Sequence, residues 1–313
     1  MGLKGLEATS LKLALFGGKG GVGKTTCACC TALHLAERFK TLLFSTDPAH
    51  SLADSLGQKI GDQIEDVKAV ENLSALEIDA EKALSKFKAQ HEGQIRKIID
   101  TGTNLDAEDI DSVFALPIPG MDEVMGLKTM IDLIDQAHFD KYVVDTAPTG
   151  HALRLLASPR LLDEWIKVLA KMRWKYRYMV ETFAGRYTPD DGDDFLVSMK
   201  KTVKRIDDLL RDPDRSEFIV VTIPEDMAIS ETDRLISSLS AYGIKARQLV
   251  INNVLESNGC AFCREKAAEQ QKYISQIRKK FDELDITIIP SQPREIKGLR
   301  ALANLKGLLF NQQ

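Results

Sequence analysis

The stretch GGKGGVGKTT, Gly17 to Thr26, constrains this chain more than any other ten residues. Gly18 through Thr25 fits G-x-x-x-x-G-K-[ST], and the apolar run LKLALF (11–16) stops just before it. Strand, glycine loop and helix in that order make a phosphate cradle. Gly18, Gly20, Gly21 and Gly23, with Val22 among them, let successive backbone N–H groups turn inward around a phosphate chain. A helix expected over roughly 24–38 aims its positive N-terminal end at the same anion. Lys24 is placed to neutralise the β- and γ-phosphates and Thr25 to hold Mg²⁺; Thr26 completes the nucleotide-binding set. Lys19 is a second lysine at the start of the loop. Its side chain does not easily fold back onto a nucleotide held by its own loop, and by spacing alone it reads as a surface charge.

A chain of 313 residues suits one large α/β domain with an insertion, or two domains. Hydrophobic content of 44% with 28% charged residues indicates a globular protein. The net charge of −4 gives no general reason to expect nucleic-acid binding. The first residues, MGLKGLEATS, lack a secretory apolar core and have Leu6 where a myristoylation signal needs Ser or Thr. With no apolar run long enough to span a bilayer, a cytoplasmic protein is expected. Of five cysteines, Cys27, Cys29 and Cys30 share the helix after the glycine loop and read as buried thiols. An odd count argues against a disulfide framework.

Apolar, β-rich runs recur at 41–46, 73–78, 142–146, 217–222, 246–252 and 286–289, mostly separated by helical patterns. Unbroken apolar strands alternating with helices predict a mostly parallel sheet covered on both faces, with ligands at the carboxyl ends of the strands. Two stretches, about 105–136 and 151–216, read as helical with no strand between. The expected organisation is a nucleotide-binding core over 1–104 and 137–150, completed by 217–313. Helical segments at 105–136 and 151–216 form a subdomain. Apolar stripes in such helices usually signify core packing.

Carboxylates close two of the apolar runs. Asp47 follows the run at 41–46, in TDPAHSLADSL. It could orient an attacking water, or act as the N-cap before a proline at the first helical position. Asp145 ends YVVD and is positioned to hold Mg²⁺ through its waters. Thr149 and Gly150 then offer backbone N–H groups to a γ-phosphate. Since the chain runs straight from them into the second helical stretch, nucleotide state can be passed to it. Further on, NGCAFC sets Cys260 and Cys263 in a C-x-x-C, which is half of a tetrahedral zinc site or a redox pair. A two-fold axis would bring two such pairs together and complete four ligands.

FGGKGGVGKTT, STDPAHSLADS and DTAPTGHALRLLASP together resemble the phosphate loop and two switches of the arsenical-pump and tail-anchored-protein targeting ATPase family, in matching order over nearly the whole chain. The resemblance implies a P-loop ATPase of the deviant Walker A class, working as a homodimer with ATP and Mg²⁺. Within it Asp47 polarises the attacking water and Lys19 reaches across the dimer to the partner's nucleotide. Asn252, in VINNVL, reads adenine, and PREIKGLRAL (293–302) closes over the base. In the targeting branch Cys260 and Cys263 bind Zn²⁺ shared across the dimer, although the span from Asn252 to Cys260 is short for the family. The branch is a chaperone whose partners are transmembrane helices of client proteins and a membrane receptor, which the sequence does not name. The groove candidates are Met121, Met125, Leu162, Trp165, Leu169 and Met172, methionine suiting a surface that accepts varied apolar sequences. The alternatives are an arsenite or anion-pump subunit, disfavoured because neither helical stretch contains a cysteine, and a septum- or partition-type positioning ATPase.

Overall fold

The computed structural model describes residues 2–47, 51–115, 121–147, 149–256 and 260–310. The side chains of residues 107, 113–115, 121–123, 149, 151–156 and 158 lie outside that description. The chain divides into two compact units. The first comprises 1–79, 133–156 and 209–313; the second comprises 80–132 and 157–208. Residues 80–104, assigned to the core from sequence, therefore fall in the helical unit, and 209–216 fall in the core.

The first unit is built on eight strands: β1 (Leu13–Gly17), β2 (Thr41–Ser45), β3 (Glu65–Asp66), β4 (Leu73–Glu77), β5 (Lys141–Asp145), β6 (Ser216–Thr222), β7 (Ala246–Val254) and β8 (Asp285–Pro290). Their order across the sheet is β3-β4-β2-β5-β1-β6-β7-β8. All neighbours are parallel except the short β3, which pairs antiparallel with β4. Every residue of β1, β2, β4, β5 and β6 is buried, which is why these strands read as continuous apolar runs. β5 enters between β1 and β2, so that Phe16 and Ser45 both pair with Asp145. Asp47 thus follows a strand that is next but one to the glycine loop, not adjacent to it.

Helices α1 (Lys24–Leu35), α2 (Ser51–Leu56), α8 (Asp226–Ala241), α9 (Ala261–Lys280) and α10 (Leu299–Phe310) accompany the sheet. Cys27, Cys29 and Cys30 are fully buried on α1, where burial drives their thiols up, Cys27 to about 12. They are packing residues, as expected. Lys141 begins β5 with its ammonium on the carbonyls of Leu6, Ala8 and Leu11, and its burial lowers its pKa to about 8.

The second unit is helical, drawn from α3 (Ala80–Gly102), α4 (Ala107–Ala115), α5 (Met121–Asp135), α6 (Thr149–Ala184) and α7 (Asp191–Arg211). Its core joins Phe87, Ile95, Ile98, Ile110, Val124, Met125, Leu162, Ile166, Leu169, Phe195 and Met199. A Cβ on Gly102 would lie 2.5 Å from that of Met172, so α3 and α6 approach as closely there as a glycine allows. Arg173, only 3% exposed, sits between the rings of Tyr176 and Tyr187. It donates to Asp193 at 2.9 Å and also pairs with Asp190, pinning the acidic turn before α7 onto α6. Lys97 of α3 grips the same turn through Asp190 and Asp191.

Candidate functional site

The glycine loop bridges β1 and α1, and Gly23 is the N-cap of α1 in the left-handed region at φ 95°. A side chain is excluded there twice over. The backbone is strained for any other residue, and a Cβ would fall 2.3 Å from Asn252 Nδ2. That amide donates to Val22 O at 2.8 Å, so Asn252, at the end of β7, is brought onto the loop itself. Lys24 is buried, and its ammonium donates to Lys19 O at 3.3 Å, within the loop. Burial lowers the Lys24 pKa against the pull of Asp145 and Asp47. Lys19 and Thr26 are half-buried, and Gly20 and Gly21 are exposed.

At the carboxyl end of β5 the Asp145 carboxylate accepts from Thr25 Oγ1 at 2.7 Å. Ser51, the first residue of α2, joins them. Its hydroxyl lies 3.1 Å from Thr25 Oγ1 and 3.5 Å from Asp145 Oδ2. Asp145 is fully buried, and its second oxygen, Oδ1, has no hydrogen-bond partner among the described residues. Burial is the main reason its pKa rises from 3.8 to about 6, and Asp47 adds to the rise while Thr25, Lys24 and Ser51 oppose it. A buried carboxylate with one orphaned oxygen, set against two hydroxyls, is a donor set of hard oxygens that fits Mg²⁺. The glycine loop and Lys24 fit the phosphates of a nucleotide on the same side.

Asp47 N donates to Ser45 Oγ at 3.0 Å, and its carboxylate acts on both Lys24 and Asp145. Gly150 is exposed in the first turn of α6, while the Thr149 side chain lies outside the described residues. Cys260 is exposed as the N-cap of α9, and Cys263 is half-buried. Their sulfurs are 3.6 Å apart. Backbone N–H and thiol hydrogen bonds from Cys263 lower the Cys260 pKa. Among the described residues no group of three or more His, Cys, Asp or Glu is disposed around one metal position.

The groove candidates separate sharply. Met125, Leu162 and Leu169 are core residues of the helical unit, at 3% exposure or less. Trp165 stands edge-on to Phe195 and Met172 lies against Gly102, both half-buried; the Met121 side chain lies outside the described residues. Packing therefore claims three of these six candidates. The exposed apolar side of α6 carries Leu161, Val168, Met179 and Phe183, with Phe183 88% exposed. Successive members lie 7, 11 and 4 residues apart, close to two, three and one helical turns. A second pair, Trp174 stacked on Tyr178 at 6.0 Å, is exposed on another side.

Three residues of evident importance escaped the sequence reading: Ser51, Arg173 and Glu77. Glu77 ends the buried run LSALE as Asp145 ends YVVD. An acid closing an apolar strand was the available signal.

Residues 11–311 match the family model described as anion-transporting ATPase. The chain belongs to that family. It is 35% identical to an ATPase ASNA1 homolog of Paramecium tetraurelia, over 97% of this chain and 94% of that protein. It is 33% identical to the ATPase get3 of Schizosaccharomyces japonicus over 98% and 94%, and equally to that of Schizosaccharomyces pombe over 97% and 92%. With the P-loop site described above, the protein is an ATP hydrolase of α/β P-loop fold.

Proposed function

We propose that this ATPase shields the transmembrane segment of tail-anchored proteins in the cytoplasm and delivers it to a membrane receptor. The observation that carries the reading is the apolar side of α6 at Leu161, Val168, Met179 and Phe183. A monomeric soluble protein seldom exposes such a row, and the helix that bears it begins at Thr149 and Gly150 of the second switch. Among the described residues no helix is long and apolar enough to cross a membrane, so the row is not part of a span of this chain.

ATP with Mg²⁺, held by Thr25 and Asp145, favours a closed homodimer, and hydrolysis opens it. Lys24 balances phosphate charge, and Lys19 reaches the nucleotide of the partner subunit. Asp47 orients the attacking water, while Asn252 and residues 293–302 enclose the base. A metal held there would lend positive charge at the phosphates; the chain's own part is to set Thr25 and Asp145 to hold it and Lys24 to balance the phosphate charge. Zn²⁺ joins two copies through Cys260 and Cys263. A Zn–S bond of about 2.3 Å sets two thiolates of a tetrahedron about 3.8 Å apart. The 3.6 Å between these sulfurs is close to that edge, and one chain supplies half the ligands.

Co-expression with a tagged protein ending in one transmembrane helix, followed by pull-down with and without ATP, tests the reading. A soluble complex is expected, weakened by Val168→Asp and Phe183→Asp, which alter exposed positions and spare the core. A complex indifferent to both changes would move client binding off α6. No complex at all would return the anion-pump reading.

A further inference from the structure

We propose that Glu77 is the positioning residue that sets α2 against the Thr25–Asp145 corner and carries the state of that corner into α3. The inference rests on reading the corner as the site of ATP and Mg²⁺.

Glu77 is 3% exposed at the carboxyl end of β4, opposite Ser45 of β2. One carboxylate oxygen, Oε1, accepts from Leu52 N at 2.9 Å and Ala53 N at 3.1 Å, the first turn of α2. Its own N–H donates to Gly61 O at 2.9 Å, and Ile78 N donates to Ser45 O at 3.0 Å. Two adjacent residues therefore hold the segment that carries Asp47 and Ser51 at its start, its middle and its end. A helix of six residues has too few internal bonds to keep its own place, so α2 stands where these partners put it. Burying a carboxylate is costly, and an aliphatic residue would close an apolar strand equally well. Glu77 instead neutralises two orphan donors at the positive end of α2.

The consequence is geometric. Ser51 starts α2, and its hydroxyl is the third oxygen beside Thr25 and Asp145. When metal and nucleotide reorganise those oxygens, Ser51 and the turn behind it must respond, and Glu77 feels that response through two hydrogen bonds. Two residues later the chain leaves the sheet unit, at Asp79, and enters α3. A path from the first switch into the helical unit thus runs through Glu77. It is separate from the one that runs from Thr149 and Gly150 into α6.

The test compares Glu77→Ala, Glu77→Gln and Ser51→Ala in the full-length protein. Hydrolysis is measured over ATP and Mg²⁺ concentration. Amide exchange of residues 51–56 and 80–87 is followed with and without a non-hydrolysable ATP analogue. Glu77→Ala should lower kcat about 10- to 100-fold while KM for ATP moves less than about threefold, since misplacement by about 1 Å costs that much. Glutamine keeps an oxygen for both N–H groups and should stay within about fivefold of the wild type. The analogue should slow exchange at 80–87 in the wild type and in Glu77→Gln but not in Glu77→Ala, a readout that general destabilisation does not imitate. Ser51→Ala, which removes the hydroxyl by which α2 meets the corner, should raise the Mg²⁺ needed for half-maximal rate and weaken the response of 80–87.

A wild-type rate in Glu77→Ala overturns the proposal, as does equal impairment of the alanine and glutamine variants. Should the alanine variant not fold, the glutamine variant decides: losing either its rate or its response at 80–87 is fatal. A wild type that hydrolyses ATP while 80–87 stays silent removes the coupling alone. A wild type that binds no ATP removes the reading on which it rests.

Discussion

The two units break the ordinary rule of protein interiors in opposite senses. The sheet unit buries charge: Lys24, Glu77 and Asp145 are nearly inaccessible, and all are tied to strand ends or to the glycine loop. The helical unit, which also buries Arg173, lines exposed apolar side chains along one helix: Val168 is 50% exposed and Trp174 68%, beside the more exposed Phe183. By contrast, Met227 and Phe262 of the sheet unit, at 66% and 68%, fall on different helices. Buried charge is costly unless it is paired, and a row of exposed apolar side chains on one helix is unusual. On the reading proposed above, chemistry and recognition fall to different units, joined by covalent continuity at α3 and α6. Substitutions that separate the two kinds of effect test this division.

The largest effect is expected at the chemical end. Asp47→Asn should leave ATP affinity and stability near the wild type while hydrolysis falls about 10²- to 10⁴-fold, the range for loss of a general base or water-orienting group. Stopped-flow nucleotide binding beside steady-state hydrolysis checks it. Equal rates would make Asp47 the N-cap that its sequence setting also allows.

Asp145 provides a pH-dependent counterpart. Burial raises its pKa from 3.8 to about 6, so the folded state holds the proton more tightly than the unfolded chain does. Its contribution favours folding at acid pH, declines as pH rises from 3.8 towards 6, and is gone above that. The whole difference amounts to about 3 kcal/mol at about 1.4 kcal/mol for each pH unit. Asp145→Asn should flatten this part of the stability profile, followed by urea unfolding at a series of pH values. Mg²⁺ needs the carboxylate, so metal-dependent ATP binding should weaken about tenfold for each pH unit below about 6. Binding that ignores pH there would take Asp145 out of the metal's surroundings.

These residues also mark how far the sequence could be read. β1, the glycine loop and α1 were legible because the signal is local: a strand, five glycines and a helix within some two dozen residues. Asp145 was legible because an acid closing an apolar run at a strand end is where ligands bind. Glu77 carries the same signal, yet its partners lie 24 and 25 residues away, and nothing local announces them. Strand order was hidden for the same reason: the entry of β5 between β1 and β2 joins segments about a hundred residues apart. In α6 the 3.6-residue period was plain, but a helix with two apolar sides does not say which side has a partner. Leu162 and Leu169 met the core of their unit; Leu161 and Val168, one residue earlier in each case, did not.

Within the helical unit, two substitutions beside the same acidic turn should have contrasting costs. Arg173 is buried with Nε and Nη1 lacking hydrogen-bond partners, while Nη2 serves Asp190 and Asp193. Those carboxylates outweigh burial, raising the Arg173 pKa and lowering both of their own. Removing one side of a buried pair costs about 3–5 kcal/mol, less where the partners are partly solvated as here. Arg173→Ala should therefore cost about 2 kcal/mol by urea unfolding. Lys97→Ala, on the more exposed side of the same turn, should lower stability far less than Arg173→Ala does.

The smallest stability effect is the most informative. Phe183 contributes almost no buried area to its own unit, so Phe183→Asp removes no packing and should change stability by less than about 0.5 kcal/mol. If the apolar side of α6 is a client surface, the same change should nonetheless reduce recovery of a transmembrane-helix client severalfold, because a charge would then face the hydrocarbon segment. Stability unmoved with binding lost is the signature of surface kept for a partner. Stability lost instead would mean that Phe183 is covered in the working protein, by a second copy of the chain, and that the exposed row is an interface between subunits. Thermal unfolding at two protein concentrations distinguishes the cases, since only a covered Phe183 makes the midpoint depend on concentration.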